Sequence, residues 1–258
     1  MIATSLAAAQ SISLPGDIEA NIQEHLRFIN AAHGAGVQML VFPELSLTGY
    51  ELPLLQRCLL QPDDDVLAPI RALVRQTGMV VTVGAPVTPV DASTNALPAI
   101  GAITYLPDGS HTVYRKVHLH PGEERYASAG AAGSSLLPLG LERVAQAICA
   151  DITHATHPAH AAQVGATVYV AGVLESEAGY LVDAAAMQQY AQRHAMGVLM
   201  ANHGGPSGGY VSAGKSAFWA PGGQLVVAAP GAGSWLVIAK RTVGQKSPSW
   251  SPLLVPMA

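Results

Sequence analysis

The sequence predicts an α/β fold built on a mixed β-sheet. Strand-like apolar runs alternate with amphipathic helical segments along all 258 residues, and half of the residues are apolar while 12% are charged. Near-continuous apolar strands are typical of sheets that are covered on both faces, by helices or by another sheet. Two of the strand-like runs flank the turn Pro107-Asp108-Gly109 as a hairpin. The sheet is therefore expected to be mixed rather than purely parallel.

The first half of the chain contains two predicted helices. The first opens at Gly16-Asp17, places Ile22 and Ile29 on one apolar face, and ends at Gly34. The second is capped within residues 63–65 and ends at Gly78. The predicted strands of this half are residues 2–10, 37–42, 79–85, 99–106 and 111–116.

The second half repeats the alternation of strands and helices. Helices are predicted near residues 158–164 and 181–195. The predicted strands are residues 144–149, 167–171, 197–202, 216–220, 224–229 and 234–239. No linker-like or low-complexity segment interrupts the chain, which predicts a single domain over residues 1–258.

Composition and charge exclude several classes of protein. A disordered chain combines low hydrophobicity with high charge, the reverse of this composition. A net charge of −4 provides no basic excess to meet phosphates, so no nucleic-acid partner is expected. The longest uncharged run, between Lys215 and Lys240, is divided by proline and glycine, which favours three strands over a membrane span. The first ten residues lack a basic region typical of signal peptides, and two cysteines form no disulfide framework, so a cytoplasmic location is expected.

Three short patterns match well-known motifs without the structural context that those motifs need. Gly209 to Ser216 satisfies the phosphate-loop formula, and residues 205–209 match GxSxG, but neither is followed by a helix-forming segment. A nucleotide-binding protein that uses Gly209 to Ser216 therefore stays an alternative of another class. His154, His157 and His160 are spaced by three, but no further ligand lies near at metal-binding spacing, so no metal site is predicted.

Three predicted strands end in a group that could take part in catalysis. Glu44 follows residues 37–42, Lys116 ends the hairpin, and Cys149 ends the strand that begins at residue 144. Singly, each has an ordinary structural interpretation, as a turn cap, an exposed strand end or an inert buried thiol. Together they supply a nucleophile, a carboxylate that burial could convert into a general base, and a cation that could stabilise an oxyanion. This set predicts covalent acyl transfer.

The segments around these residues resemble the nitrilase-like carbon–nitrogen hydrolase superfamily. The matching stretches are Val41-Phe42-Pro43-Glu44-Leu45-Ser46-Leu47-Thr48-Gly49-Tyr50, Tyr114-Arg115-Lys116-Val117-His118-Leu119 and Ile148-Cys149-Ala150-Asp151, in the order and at separations similar to the family's. Further matches are the opening strand ending in Gln10, Gly16-Asp17 with Asn21, Asn202, and Gly214-Lys215-Ser216 with Pro221-Gly222-Gly223. The resemblance covers nearly the whole chain.

The resemblance implies a four-layer α-β-β-α sandwich with a catalytic triad and no cofactor. It implies Glu44 as the general base, Lys116 as the oxyanion-stabilising cation and Cys149 as the nucleophile, helped by the backbone N–H of Ala150. Glu124 matches the family's second glutamate, and Glu123 is its competitor because the register of the loop is open. Members of the superfamily commonly form homodimers or larger homo-oligomers, which is expected here too.

The substrate is predicted in class only. The leading hypothesis is a small carboxamide hydrolysed through a thioester, with N-carbamoyl or nitrile cleavage by the same triad as alternatives, and a non-catalytic scaffold as a further one. Ala150 and the segment after it depart from the family pattern, which changes the pocket wall beside the nucleophile. Tyr50, His154 and Glu175 are the predicted pocket residues, because each lies just beyond an apolar strand or the nucleophile turn.

Overall fold

Two β-sheets lie face to face between two pairs of helices in the computed structural model, which describes residues 2–90, 96–133, 135–242 and 249–257. The helices are α1 (Ile18–Gly34), α2 (Ala68–Thr77), α3 (Thr156–Gln163) and α4 (Tyr180–His194). The strands are β1 (Ile2–Gln10), β2 (Met39–Val41), β3 (Val80–Val87), β4 (Ala99–Tyr105), β5 (His111–Arg115), β6 (Leu137–Leu139), β7 (Glu142–Ile148), β8 (Val168–Val173), β9 (Gly197–Asn202), β10 (Ala217–Trp219), β11 (Leu225–Ala228), β12 (Trp235–Thr242) and β13 (Ser249–Pro256).

Both sheets are mixed, as the hairpin predicts. The first has the strand order β13-β12-β1-β2-β3-β4-β5, in which only β1–β2 and β2–β3 are parallel. The second has the order β11-β10-β9-β8-β7-β6, in which β7–β8 and β8–β9 are parallel. Because β3, β4 and β5 alternate in direction, β2 and β5 point the same way and end at the same edge of their sheet.

The four layers follow from the alternation of side chains along each strand. In β1, Ala7 and Ala9 pack against the apolar faces of α1 and α2, whereas Leu6 and Ala8 pack against the second sheet. The outer face of the second sheet packs in the same way against α3 and α4. The predicted α-β-β-α sandwich is therefore confirmed. Such strands are apolar on both faces, which explains their near-continuous hydrophobic sequence.

Two strands, β6 and β13, are not predicted from the sequence because of their own residues. β6 has three residues, one of them a proline, and is too short to show a period. β13 contains Pro252 and Pro256, which argue against a strand unless it lies at an edge. It does lie at the edge of the first sheet, where it pairs only with β12.

The long uncharged segment folds into β10, β11 and β12, as expected. Within the described residues, no helix combines the length and hydrophobicity needed to cross a membrane. β10 begins directly after Ser216, so a strand rather than a helix follows the phosphate-loop pattern. The Ser216 hydroxyl is buried and bonded to the backbone of Asn202. This arrangement contradicts a phosphate-binding role for Gly209 to Ser216.

Candidate active site

The three reactive strand ends meet between the two sheets. Glu44 follows β2 and Lys116 follows β5, at one edge of the first sheet, and Cys149 follows β7 of the second sheet. Lys116 Nζ lies 2.7 Å from Glu44 Oε1, and both side chains are fully buried. Cys149 lies close enough to Glu44 for the negative charge of this carboxylate to raise the pKa of the thiol. The structure thus brings the predicted nucleophile, base and cation into one cluster.

Two glycines from opposite sheets hold the segment that carries Glu44. A Cβ at Gly84 in β3 would lie 2.3 Å from the carbonyl oxygen of Pro43, and a Cβ at Gly172 in β8 would lie 2.7 Å from that of Phe42. Real Cβ atoms do not approach so closely, so only glycine fits at either position. The carbonyl of Glu44 itself is bonded to His203 Nε2 at 2.7 Å. Glu44 is thus positioned by both sheets at once.

We expect Gly84→Ala to destabilise the protein by about 1–3 kcal/mol, because the new methyl group overpacks a backbone contact. It should also lower activity by displacing Glu44. Gly34→Ala is the matched control, because a Cβ at this helical glycine meets no atom within 4 Å. Urea unfolding of both variants measures the difference. Equal stabilities of the two variants would show that the close approach at Gly84 is not important.

Lys116 has a second carboxylate partner, and it is Glu123. Lys116 Nζ lies 2.7 Å from Glu123 Oε1, and the buried Glu123 also accepts hydrogen bonds from the Tyr50 hydroxyl at 2.5 Å and from the His120 N–H at 2.8 Å. Glu124, the expected second glutamate, is exposed, and it accepts a hydrogen bond from the N–H of Gly122 rather than from Lys116. The expectation for Glu124 is corrected because the short helix Glu123–Arg125 turns Glu123, its first residue, inward.

The matched pair Glu123→Gln and Glu124→Gln tests this correction. Glu123→Gln should lower kcat/KM by about 10²-fold or more, because it removes a charge that holds the lysine in place. Glu124→Gln should keep wild-type activity, because its carboxylate faces solvent. Initial rates of ammonia release compare the two proteins. Loss of activity in Glu124→Gln with retention in Glu123→Gln would restore the original assignment.

The Cys149 turn has an unusual backbone. Cys149 adopts a φ of +41°, a left-handed conformation that is rare for residues other than glycine. It begins the 3₁₀ helix Cys149–Thr153, in which Ala150 is the second residue. The first N–H groups of a helix have no carbonyl partner within it. The Ala150 N–H is therefore well placed to bind an oxyanion beside the sulfur.

Asp151 connects the cysteine segment to the lysine segment, a role that the sequence did not indicate. Its Oδ1 accepts hydrogen bonds from the N–H groups of Val117 and His118, and its Oδ2 accepts from the N–H of Ile148 and the hydroxyl of Tyr114. The carboxyl is fully buried. This carboxylate therefore joins, through hydrogen bonds, the segment that follows Lys116 to the segment that carries Cys149. The short motif around Cys149 includes Asp151, but it does not show which distant groups Asp151 binds.

A pocket of about 200 Å³ opens in front of Cys149. Besides Cys149 and Ala150, its lining includes Tyr50, His120, Thr153, Glu175, Asp183 and Tyr210. Of the three predicted pocket residues, Tyr50 and Glu175 therefore reach it. His154 does not line it but stacks on His118, with ring centroids 3.9 Å apart, beside the Ala150 carbonyl. Asp183 and Tyr210 come from distant segments with no local motif, so sequence reasoning missed them.

The three spaced histidines do not converge on a common point for a metal. His157 uses both ring nitrogens on the hydroxyls of Tyr114 and Tyr169. His154 is bonded to the Ala150 carbonyl instead. No group of three His, Cys, Asp or Glu side chains suited to hold a metal ion occurs in the described parts of the chain.

Comparison with known proteins identifies the family. The family model for carbon-nitrogen hydrolases matches residues 5–245. The chain belongs to the carbon-nitrogen hydrolase family. Its fold is similar to that of an amidase from Nesterenkonia sp. AN1, with a TM-score of 0.83 and 22% identity over 93% of this chain and 90% of the other. A mutant of that amidase in complex with butyramide gives a TM-score of 0.84 at 21% identity, over 93% of this chain and 91% of the other.

A curated relative of this carbon-nitrogen hydrolase is a much larger protein. The glutamine-dependent NAD(+) synthetase of Mycobacterium leprae is 30% identical over 175 residues. The match covers 59% of this chain but only 25% of the synthetase. The chain therefore spans about a quarter of the length of this relative.

Burial and neighbouring charges shift the pKa values of Glu44, Cys149 and Lys116. Burial raises the pKa of Glu44 to about 7, although Lys116 opposes the shift. Burial and the negative charge of Glu44 raise the pKa of the Cys149 thiol well above its usual value. Burial alone would lower the pKa of Lys116, but the facing carboxylates outweigh it and raise that pKa, so the lysine stays charged. The resting site therefore pairs a thiol with a carboxylate able to accept its proton.

The pKa of Glu44 predicts the pH dependence of activity. Glu44 can accept the thiol proton only when it is ionised, so kcat/KM should rise with pH and reach half its plateau near pH 7. Below that pH the protonated carboxyl is inactive as a base. Butyramide is a suitable substrate because it does not titrate between pH 5 and 9. If kcat/KM instead reached half its plateau near pH 4.5, the ordinary pKa of glutamate, the effect of burial on Glu44 would be contradicted.

Proposed function

We propose that this carbon-nitrogen hydrolase cleaves a small amide through a thioester on Cys149. In the first half-reaction, the Cys149 sulfur attacks the amide carbonyl carbon while Glu44 takes the thiol proton. Glu44 then gives that proton to the leaving nitrogen, and ammonia or an amine departs. The acyl group stays bonded to sulfur.

Water completes the proposed cycle. Glu44 accepts a proton from a water molecule that attacks the thioester carbonyl, and the sulfur leaves and regains a proton as the carboxylic acid is released. In both half-reactions, the negative oxygen would be held by the Lys116 ammonium and the Ala150 N–H. Glu123 would keep Lys116 in place, because its carboxylate lies 2.7 Å from Nζ.

The single observation that carries this proposal is the buried Glu44–Lys116 pair beside a thiol that opens into a pocket. A structural pair of this kind would not require a cysteine in a left-handed conformation next to it. The related Nesterenkonia amidase has been solved with the acetamide moiety of fluoroacetamide covalently added at its active-site cysteine, and with butyramide. These relatives support a short-chain amide as the substrate.

The test is a panel of small substrates scored by ammonia release. It should include aliphatic amides such as butyramide, glutamine because of the glutamine-dependent relative, N-carbamoyl amino acids and nitriles. We expect turnover of at least one short amide, and a thioester on Cys149 detected by intact-protein mass spectrometry. Turnover confined to N-carbamoyl compounds or nitriles would move the proposal to those chemistries. No turnover of any compound would overturn it.

Three broader predictions belong to the same proposal. We infer one carbon–nitrogen hydrolase domain over residues 1–258 and a homodimer or larger homo-oligomer in the cytoplasm. The exposed Leu181 and Val182, adjacent on α4, are apolar side chains that an interface between copies would cover. Light scattering coupled to gel filtration measures the oligomeric state.

A further inference from the structure

The pocket wall opposite the nucleophile is acidic. Glu175 is 7% exposed, and its Oε1 lies 3.9 Å from Cys149 Sγ. Asp183 reaches the same wall from the first turn of α4. A point at the Cβ position of Gly179 would lie 3.4 Å from Glu175 Oε2 and 3.4 Å from Asp183 Oδ2, so both carboxyl groups face the same space. The described lining includes no lysine and no arginine.

The charges around this acidic wall leave it without a cationic partner. Lys116 is fully buried between Glu44 and Glu123, so its charge is already balanced. His120 lines the pocket, and its backbone N–H is bonded to Glu123. Within the described residues, the Cys149 thiol donates to Glu175 Oε1 at 3.9 Å, and no lysine or arginine side chain is hydrogen-bonded to Glu175.

A buried carboxyl group that faces a second carboxyl group is costly to ionise unless a cation joins the two. Burial, followed by the hydrogen bond and charge of Asp183, raises the pKa of Glu175 to about 9. Glu175 therefore keeps its proton at neutral pH when no ligand is bound. A cationic ligand group would replace that proton, and both carboxylates would then bind it directly.

We propose that the natural substrate is a small amide bearing an ammonium or similar cation, bound by Glu175 and Asp183. The proposal rests on amide hydrolysis at Cys149. Glu175 lies so near the sulfur that the cation must be close to the scissile bond. In an extended chain, an ammonium two carbons beyond the carbonyl carbon lies roughly 4 Å from it. The rings of Tyr50 and Tyr210 line the same pocket, and aromatic rings attract cations.

Asp183 also has an ordinary structural explanation. An acid in the first turn of a helix is stabilised by the helix dipole whether or not a ligand binds. That explanation does not account for Glu175, which lies before α4 and is buried against the nucleophile. It also predicts no preference among substrates of different charge, which separates the two interpretations.

The test compares amides of similar chain length and different charge. Cys149→Ala protein is titrated by calorimetry at pH 7 with 3-aminopropanamide and with butyramide, in which a methyl group replaces the ammonium. Succinamate supplies a negative charge. We expect 3-aminopropanamide to bind at least tenfold more tightly than butyramide, and succinamate to bind most weakly. Equal affinities, tighter binding of butyramide or succinamate, or no binding of 3-aminopropanamide would each overturn the cation proposal.

Variants assign the preference to the two carboxyl groups. Asp183→Asn and Glu175→Gln, each in the Cys149→Ala protein, should reduce the ratio of the two affinities at least fivefold. Glu177→Gln is the matched control, because Glu177 is exposed two residues away, and it should keep the ratio. An unchanged ratio in both test variants would refute the assignment. Hydrolysis of butyramide by the wild-type enzyme is measured separately, so failure of the amidase proposal is distinguishable from failure of this one.

Discussion

Cys149→Ala is expected to lower ammonia release by more than about 10⁴-fold while the protein stays folded. The sulfur is the atom that forms the proposed thioester, and no other group in the cluster can replace it as a nucleophile. The fold should persist because Cys149 is only partly buried and alanine is smaller than cysteine. The measurement is the initial rate of ammonia release, with thermal unfolding as the check on folding.

Cys58→Ala is the matched control for this prediction. Cys58 is the other free cysteine, buried in the segment after the short helix Leu52–Leu54. Its thiol does not line the pocket. The control should cost stability, through a small cavity, but not the ability to form a thioester. If Cys149→Ala retained ammonia release, or if Cys58→Ala alone abolished it, the assigned nucleophile would be wrong.

Lys116→Met is expected to affect both stability and activity. The substitution leaves the buried carboxyl groups of Glu44 and Glu123 without the cation that they share. Removing one partner of a buried ion pair typically costs about 3–5 kcal/mol in the free energy of unfolding. Loss of a donor to the oxyanion should lower kcat by a further factor of about 10²–10³. Urea unfolding and ammonia release measure the two effects.

Two further proteins separate charge from packing. Lys240→Met is the control, because Lys240 is partly exposed and donates to a backbone carbonyl, that of Ala35. Lys116→Met combined with Glu123→Gln should regain part of the lost stability, since one unpaired buried charge is removed, but not the activity. A double variant less stable than Lys116→Met alone would show that the cost comes from packing rather than from charge.

Much of the fold could be predicted because its signals are local. Helix α2 ends at Gly78 in a left-handed conformation, and β9 covers the residues that its apolar run predicts. The β4–β5 hairpin was recognisable from its turn residues. β13 was not, because its prolines are tolerated only at a sheet edge, and position in a sheet is not visible in a strand's own residues.

The site was predictable in its reactive groups but not in their surroundings. Glu44, Lys116 and Cys149 each stand at the end of a predicted strand, and the structure brings all three together. Glu123 was assigned one residue too late, because the inward face of a single turn depends on what that turn packs against. His154 was expected in the pocket, but its ring stacks on His118 behind the nucleophile turn.

The sequence by itself therefore determined the order of most elements, the family and the three groups that carry the proposed chemistry. Periodicity, turn residues and short motifs are properties of neighbouring residues. Only the tertiary structure decided which glutamate faces Lys116, how Asp151 joins the two sheets, and which wall faces the nucleophile. Glu175 and Asp183 meet there from a strand end and a helix. A buried charge depends on partners from distant segments, and their convergence is decided by packing.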